Sequence, residues 1–350
     1  MKRILIVRLS AIGDVVMASP LAHAFKNTRG DSHITWLVEE SAAEVLRGNP
    51  HIDEILIWPR GRWKGLLRTG RISALIKEFF FLTRELRREP AFDLAVDIQG
   101  LLKSGIWTFL SGARQKVGLG SREGSRILMD RVVERTGPSD RISSQYLQIA
   151  EELALETDGF PMMVPTLPED DKFAEDFIAA NGLAGGFITL CPFTTRPQKH
   201  WFDERWVIFA KRIMDQRGLL SVLLGGPLDK PAAEKISGAA KETIISLTGE
   251  TTLKQAAAII RRSSLLAGVD TGLTHMGFAL GTPTVALFGA TRPYLDTDWM
   301  PGKVLYHPHE CSPCRRNPTC EGDHTCMKAI STDEVMLAAQ ILLGPEGGNP

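Results

Sequence analysis

The first residues that could do chemistry follow a short apolar run near the start of the chain. Residues 4–7 read ILIV, and Gly13 and Asp14 come a few positions later. Glycine lets the backbone turn tightly or approach a ligand, and a carboxylate within reach of a hydroxyl can act as its general base. A carboxylate near a helix N-terminus can also do no more than complement the helix dipole. The residues alone leave both roles open for Asp14.

Residues 192–201 (PFTTRPQKHW) form a second candidate loop, again directly after an apolar run. The hydroxyl groups of Thr194 and Thr195 and the ammonium of Lys199 suit a phosphate-bearing ligand. A solvated loop with incidental cations is the alternative.

The segment VDTGLTH at residues 269–275 has the composition of a phosphate site at the start of a helix. Asp270 or Thr271 can cap the new helix, Gly272 allows close approach, and the free N–H groups of the first turn favour a pyrophosphate. His275 lies four residues after Thr271 and therefore on the same helix face. The alternative is a structural cap with a core histidine.

Two further features carry polar groups without a decisive pattern. Asp229 ends the segment GGPLD after an apolar run, where it could accept hydrogen bonds from a ribose or cap a helix. Residues 60–77 contain six cations and no acid, which fits a solvated helix face or a binding surface for an anionic acceptor. Arg122, in a later glycine-containing loop, could join that surface.

Four of the five cysteines lie close together in the sequence, and only their first pair has the spacing of metal ligands. We consider a structural zinc site there and favour reduced cysteines that pack a small loop. These residues are Cys311, Cys314, Cys320 and Cys326.

The scaffold for these loops is predicted by short apolar runs that alternate with amphipathic stretches, which is typical of parallel βαβ units and an α/β fold. Right-handed crossovers then give doubly wound sheets, whose ligands bind beyond the carboxyl ends of the strands. We predict strands at 3–8, 33–39, 52–58, 92–98, near 117, and at 187–191, 219–224, 244–247, 265–269 and 284–288. We predict helices from 11 to about 26, at 72–88, from 101, and at 143–155, 203–216, 230–241, 252–261 and 274–280.

A length of 350 residues suggests two domains at roughly 150 residues per domain. Residues 157–172 are rich in Pro, Asp and Glu and are the best candidate for a linker. We therefore expect two Rossmann-like domains, over residues 1–165 and 166–350, that face each other across a cleft. The last helix is expected to pack back on the N-terminal domain.

The composition excludes some classes of protein. Lys plus Arg and Asp plus Glu number 41 each, which argues against a general nucleic-acid binder. No run of 18 apolar residues is present, so no transmembrane helix is expected, and the cytoplasm is the expected compartment.

Several segments together resemble glycosyltransferase family 9, the ADP-heptose:lipopolysaccharide heptosyltransferases. The resemblance covers nearly the whole chain, and within the family TTRPQKHW favours the type I enzymes over type II. It rests on ILIVRLSAIGDVV at 4–16, WLVEE at 36–40, VDIQGLLKSG at 96–105, TTRPQKHW at 194–201 and VDTGLTH at 269–275.

The resemblance implies a GT-B fold and an inverting reaction with no cofactor and no catalytic metal. It implies that the first domain binds the acceptor, with Asp14 as the general base, and that the second binds the donor. The implied donor-binding residues are Thr194, Thr195, Lys199, Asp229, Asp270, Thr271, Gly272 and His275. The implied acceptor-binding residues are Arg60, Arg62, Lys64 and Arg122.

The implied partners are an ADP-heptose donor and an acceptor of the Kdo–lipid A type, with peripheral contact at the cytoplasmic face of the inner membrane. Three alternatives remain from the sequence: a type II or other GT-B transferase with a different nucleotide sugar, a nucleotide-sugar epimerase, and a non-catalytic binding protein.

Overall fold

The computed structural model describes residues 2–136, 140–297, 300–314 and 317–345. The chain divides into two compact units, which are described separately. The first comprises residues 1–138 and 143–165, and the second comprises 139–142 and 166–350.

The N-terminal unit is a six-stranded, fully parallel sheet with helices between its strands. The strand order is β3-β2-β1-β4-β5-β6, which is the doubly wound arrangement. Its strands are β1 (Arg3–Val7), β2 (His33–Glu39), β3 (Glu54–Trp58), β4 (Leu94–Asp97), β5 (Gln115–Leu119) and β6 (Arg131–Val133). Its helices are α1 (Ile12–Ala18), α2 (Pro20–Thr28), α3 (Glu40–Leu46), α4 (Arg60–Arg68), α5 (Ile72–Leu86), α6 (Leu102–Leu110) and α7 (Ser144–Glu152).

The C-terminal unit repeats this topology. Its parallel sheet has the order β12-β11-β10-β7-β8-β9, so the strand order reverses between β7 and β10 as it does between β1 and β4. Its strands are β7 (Phe187–Cys191), β8 (Leu220–Leu223), β9 (Ile244–Ser246), β10 (Leu265–Val269), β11 (Thr284–Phe288) and β12 (Gly302–Tyr306). Its helices are α8 (Pro168–Ala180), α9 (Asp203–Arg217), α10 (Lys230–Gly238), α11 (Leu253–Arg262), α12 (Gly272–Ala279), α13 (Thr325–Lys328) and α14 (Thr332–Leu343).

The central strands are buried along their whole length, which explains why they read as continuous apolar runs. Every residue of β1, β7, β10 and β11 is buried. The predicted α/β class and the two doubly wound, Rossmann-like sheets are confirmed.

Several predicted element bounds need correction. The helix expected from 11 to about 26 is two helices that meet at Ser19, because Pro20 cannot donate a backbone hydrogen bond to the first of them. The expected linker at 157–172 ends earlier, since α8 begins at Pro168 with three acids in its first turn. Strands β6 and β12 were not predicted, because their residues are only partly buried and lack a strong apolar run.

The last helix packs within the C-terminal unit, and the expectation that it also packs on the N-terminal domain stays a prediction. Helix α14 lies against α9 and against strands β10, β11 and β12, and its Val335 and Met336 belong to the core of the C-terminal unit. Throughout the described ranges, no helix combines the length and the apolarity needed to cross a bilayer.

Gly268 shows how closely the C-terminal sheet packs at its switch point. A methyl group on this residue of β10 would overlap Thr274 Oγ1 and lie 2.9 Å from Cys191 Cβ. We expect Gly268→Ala to lower the free energy of unfolding by about 1–3 kcal/mol through overpacking. Urea unfolding measures this change.

The control is Gly185→Ala, where an added methyl group meets nothing within 4 Å. Equal stability of the two variants would contradict the packing described for β10.

Candidate functional site

Each unit presents its candidate residues at the carboxyl ends of two neighbouring strands, where the strand order reverses. Asp14 follows β1, and Gln99 and Gly100 follow β4. Lys199 and Asp270 follow β7 and β10 in the same way. Ligands of open α/β sheets bind at this topological position.

The Asp14 carboxylate is anchored through one oxygen and open through the other. Oδ2 accepts the backbone N–H of Ala11 at 3.1 Å and pairs with the Arg8 guanidinium at 2.6 Å. Oδ1 accepts no hydrogen bond from the part of the chain that the structure describes, and 39% of the side chain is exposed. One oxygen therefore remains able to accept a proton from a ligand hydroxyl.

The Arg8 guanidinium, which fixes the position of this carboxylate, is itself held by neighbouring groups. The buried guanidinium donates to the carbonyl oxygen of Ile98 at 3.3 Å and lies 5.9 Å from the ring centre of Tyr146. Burial raises the pKa of Tyr146 to about 12, so the phenol stays neutral at physiological pH. Arg8 thus connects the ends of β1 and β4 with helix α7.

A second ionic cluster lies beside the β1 loop and surrounds Glu39 at the end of β2. The Glu39 carboxylate accepts from Lys103 Nζ at 3.0 Å, from Arg60 at 3.4 Å and from the Ser10 hydroxyl at 3.4 Å. Glu39 is buried. This single carboxylate therefore holds two cations, Lys103 and Arg60, near these strand ends.

The structure separates the other predicted acceptor-binding cations. Arg62 is largely exposed and pairs with Glu78 of α5 at 2.7 Å, and Lys64 is exposed on α4. Arg122 lies in the loop after β5, and its own backbone N–H donates to the carbonyl oxygen of Gly100 at 2.9 Å. Of the four, Arg60 and Arg122 are held against the ends of the central strands.

The largely buried carboxylate of Asp270 organises the candidate donor side. It forms an ion pair with Lys199, accepts from the Thr291 hydroxyl and lies 3.2 Å from His275 Nε2. Lys199 Nζ also donates to the backbone carbonyl of Asp270 at 3.3 Å. The Tyr294 hydroxyl lies 2.8 Å from His275 Nδ1 and completes the network.

The charge of Asp270 is retained despite its burial. Burial by itself raises the pKa of this carboxyl, but the hydrogen bonds and charges of His275 and Lys199 outweigh it and hold the pKa well below its ordinary value. Burial also raises the pKa of Tyr294 well above its ordinary value, with a contribution from the Asp270 charge. The network therefore contains an ionised carboxylate and a neutral phenol across the physiological range.

The predicted helix N-terminus is present beside Lys199. Thr271 is the N-cap residue of α12 in extended conformation, without a capping hydrogen bond from its side chain, and Gly272 opens the helix. Its first N–H groups are available to an anion. In the preceding loop Thr195 is exposed, Thr194 is partly buried, and the Thr194 carbonyl lies 2.8 Å from His200 Nε2.

Asp229 makes a local turn. Its carboxylate accepts the backbone N–H of Gly226 at 2.8 Å, just before α10 begins at Lys230. No contact in the described residues joins Asp229 to Lys199 or Asp270. A hydrogen bond from a ribose hydroxyl to the Asp229 carboxylate stays a prediction.

The four clustered cysteines are free thiols in this structure. Burial, together with the neighbouring thiols, raises the pKa of both Cys314 and Cys326, and Cys311 Sγ lies 3.4 Å from His309 Nδ1. Considering only the residues whose positions are described, no three His, Cys, Asp or Glu side chains are grouped so as to hold a metal ion.

The sequence did not reveal the residues whose hydrogen bonds and ion pairs hold the candidate site residues in position. Arg8, Glu39 and Lys103 stand within the segments that carried the family resemblance, and their position at strand ends was the available signal. Tyr294 and Thr291 gave no local signal, because their role depends on a loop that folds back over β10.

The Asp270 network predicts a specific effect of pH on stability. We expect Asp270→Asn to lower the free energy of unfolding at pH 7 by about 3 kcal/mol, since it leaves the charge of the partly buried Lys199 unpaired. A depressed carboxyl pKa stabilises the fold above the pKa of the unfolded chain, about 3.9. That contribution falls as the pH drops toward the folded-state pKa.

The gap between wild type and variant should therefore be constant above about pH 5 and narrow below about pH 4, as measured by urea unfolding. The matched control is Asp176→Asn, in the exposed pair with Lys172 on α8. A gap that stays unchanged down to pH 3 would show that the Asp270 charge does not stabilise the fold.

Sequence comparison finds relatives along most of the chain. The lipopolysaccharide core heptosyltransferase OpsX of Haemophilus influenzae is 26% identical over 312 residues, which cover 85% of this chain and 83% of OpsX. Lipopolysaccharide heptosyltransferase 1 of Pseudomonas aeruginosa is 25% identical and covers 91% of this chain and 87% of its own length.

Solved structures share the fold of the whole chain. A glycosyl transferase of family 9 from Veillonella parvula superposes with a TM-score of 0.84 at 23% identity, covering 98% of this chain and 97% of that one. The ADP-heptose lipopolysaccharide heptosyltransferase II of Escherichia coli gives 0.73 at 22% identity, with 98% of each chain covered. These likenesses confirm the GT-B class of the fold.

A sequence profile of one family spans more than half of the chain and includes the candidate loops at 192–201 and 269–275. It matches residues 80–324. The chain belongs to glycosyltransferase family 9, the heptosyltransferase family, and is a glycosyltransferase.

Proposed function

We propose that this protein transfers a heptose from ADP-L-glycero-D-manno-heptose to the Kdo of the lipopolysaccharide inner core, with inversion at the anomeric carbon. The observation that carries the proposal is the Lys199 ammonium, fixed by Asp270 beside the N-terminus of α12. A cation and free backbone N–H groups together form a site for a diphosphate. The names of the relatives, lipopolysaccharide heptosyltransferases, supply the sugar and the acceptor class.

Lys199 retains a donor for the leaving group. An ammonium has three N–H donors, and two of them are directed at the side chain and the carbonyl of Asp270. The third can bind a phosphate oxygen of ADP. As the bond from the anomeric carbon to the diphosphate breaks, negative charge grows on ADP, and the ammonium with the helix N–H groups stabilises it. In this proposal these groups do the work that a metal ion does in other transferases.

Asp14 acts on the acceptor. Its open Oδ1 takes the proton of the attacking hydroxyl while the hydroxyl oxygen forms the new bond to the anomeric carbon. The electron pair of the broken bond leaves with ADP, and attack from the opposite face inverts the configuration. The pairing of Oδ2 with Arg8 keeps the carboxylate oriented during this step.

The acceptor is an anionic saccharide in this proposal. Arg60, Lys103 and Arg122 provide positive charge near the β1, β4 and β5 ends, and Arg62 and Lys64 extend it along α4. Kdo carries a carboxylate that such cations bind. Because this acceptor is built on a lipid, we place the enzyme in the cytoplasm with peripheral contact at the inner membrane.

The deciding experiment is a transfer assay with purified protein. ADP release is measured with ADP-heptose and three acceptors: a Kdo-bearing lipid A core, the same core already carrying one heptose, and none. Transfer to the first alone, retained in EDTA, supports the proposal. Transfer only to the second identifies a type II activity. Conversion of the nucleotide sugar without acceptor identifies an epimerase, and either result refutes the type I assignment.

Asp14→Asn should reduce transfer by about 10²–10⁴-fold, the usual contribution of a general base. The amide keeps the shape of the side chain, so ADP binding measured by calorimetry should be nearly unchanged. The control is Asp158→Asn, which removes an exposed carboxylate from the same unit. Near-normal turnover of the Asp14 variant would refute its role as the base.

Lys199→Ala should weaken ADP binding and also lower kcat, by about 10²–10³-fold as for other electrostatic transition-state groups. The control is Lys211→Ala, since Lys211 is an exposed lysine on α9 of the same unit. Steady-state kinetics with varied donor separate the two effects. Unchanged kinetics in the Lys199 variant would exclude a diphosphate contact.

A further inference from the structure

We propose that the outer surface of α5 and α6 docks the N-terminal unit on an anionic lipid bilayer. This surface, called the α5–α6 face, consists of exposed apolar side chains on the two helices and on the short turn beside α6. Its members are Ile72, Ile76, Phe80 and Phe81 of α5, Leu102, Ile106 and Phe109 of α6, and Ile127 of the turn.

The two helices lie side by side, and we infer that their exposed apolar residues share one side of the N-terminal unit. Phe79 of α5 packs on Trp107 of α6 with ring centres 5.7 Å apart, and Arg87 Nε donates to the carbonyl oxygen of Leu110 at 2.8 Å. Monomeric soluble proteins rarely expose contiguous apolar patches of this kind without a partner.

The helix spacing shows that these residues face outward rather than toward the core. On α6, Leu102, Ile106 and Phe109 are separated by four and three residues and share one face. The opposite face carries the buried Ser104 and Thr108. The exposed stripe is therefore additional to the packing surface that already fixes α6 on the sheet.

Cations lie among the apolar side chains of α5. Lys77 and Phe81 are four residues apart, as are Phe80 and Arg84, so each cation lies next to a ring on the helix surface. Arg68 and Arg71 extend the charge at the turn between α4 and α5. None of these four cations forms an ion pair with another residue that the structure describes.

The nearby acids are already neutralised or occupied. Glu78 pairs with Arg62, Glu85 pairs with Arg88 at 3.6 Å, and Glu123 accepts the backbone N–H of Leu102 at 3.3 Å. The face is therefore apolar with a net positive charge.

Exposed apolar side chains together with unpaired cations favour an anionic bilayer as the binding partner of the α5–α6 face. Interfacial helices insert aromatic and aliphatic side chains at the headgroup boundary while Lys and Arg contact anionic lipids. A protein partner would have to supply matching carboxylates, and a second copy of this chain would bring the same unpaired cations into opposition. The lipid nature of the acceptor rests on the proposed function, but binding to vesicles without any acceptor does not.

The test is co-sedimentation of the full chain with phosphatidylcholine vesicles, prepared with and without phosphatidylglycerol, in the absence of donor and acceptor. We expect binding that requires phosphatidylglycerol and weakens in high salt. The variant Phe80→Gln/Phe81→Gln should bind about tenfold or more weakly, because the rings remove apolar area from water. Phe80 and Phe81 are 65% and 67% exposed, so the fold should tolerate both changes.

The matched control is Leu337→Gln/Ile341→Gln, which removes two exposed apolar side chains, 59% and 56% accessible, from α14 of the other unit. Its vesicle affinity should equal that of the wild type.

A second variant, Lys77→Gln/Arg84→Gln, keeps the rings and should lose about fivefold in affinity per cation removed.

The readouts separate this inference from the proposed function. With a soluble, delipidated acceptor the phenylalanine variant should keep wild-type kinetics, while with acceptor in vesicles its KM should rise and its kcat should not change. Absence of wild-type binding to anionic vesicles would overturn the proposal, as would equal binding by the phenylalanine variant. A dimer that dissociates in that variant, with vesicle binding unchanged, would instead assign the face to a second copy of this chain.

Discussion

The ion pair between the Asp270 carboxylate, at the end of β10, and Lys199 is the interaction on which the candidate site of the C-terminal unit depends. Taking a carboxylate out of water is costly unless charges and hydrogen bonds replace the lost solvent. Its partners come from three separate segments: Lys199 from the loop after β7, His275 from α12, and Thr291 from the loop after β11. One charge therefore joins two loops to the first turns of α12. In the proposed function this arrangement is the diphosphate site, and it is assembled before any ligand binds, as electrostatic catalysis requires.

In the N-terminal unit, too, a buried charged side chain positions a partner of opposite charge, but the signs of the two charges are reversed. There the buried group is the Arg8 guanidinium, and the group that it positions is the partly exposed Asp14 carboxylate. In the C-terminal unit the buried group is Asp270, and the group that it positions is the Lys199 ammonium. Both units have the same strand order, and in both the charge sits at the reversal of that order. The buried partner thus sets the sign of the charge that each unit presents where its strand order reverses.

The central strands could be predicted from the sequence because burial on both faces leaves an uninterrupted apolar run, as in β1 and β7. Edge strands could not be predicted in this way. Strand β12 reads GKVLY and is only partly buried, so its pairing with β11 depends on tertiary structure. The same division holds at the site. Asp14, Lys199 and Asp270 lie within or just after the segments that follow β1, β7 and β10, so the sequence singled them out as candidates. Tyr294 contacts His275 from the loop after the next strand, β11, and gave no such signal.

Equal numbers of acidic and basic residues conceal a strongly uneven distribution of charge in the N-terminal unit. The 60–77 segment contains cations alone, and the structure divides them between two environments. Arg60 turns toward Glu39 at the strand ends, while Arg68, Arg71 and Lys77 are exposed and form no ion pair with any residue that the structure describes. Charges interact over about 8–10 Å at physiological ionic strength, a distance shorter than a domain. A ligand or a bilayer therefore responds to the local surface and not to the zero net charge of the chain. A protein without overall charge can in this way carry the two surfaces that we propose, one for an anionic saccharide and one for an anionic bilayer.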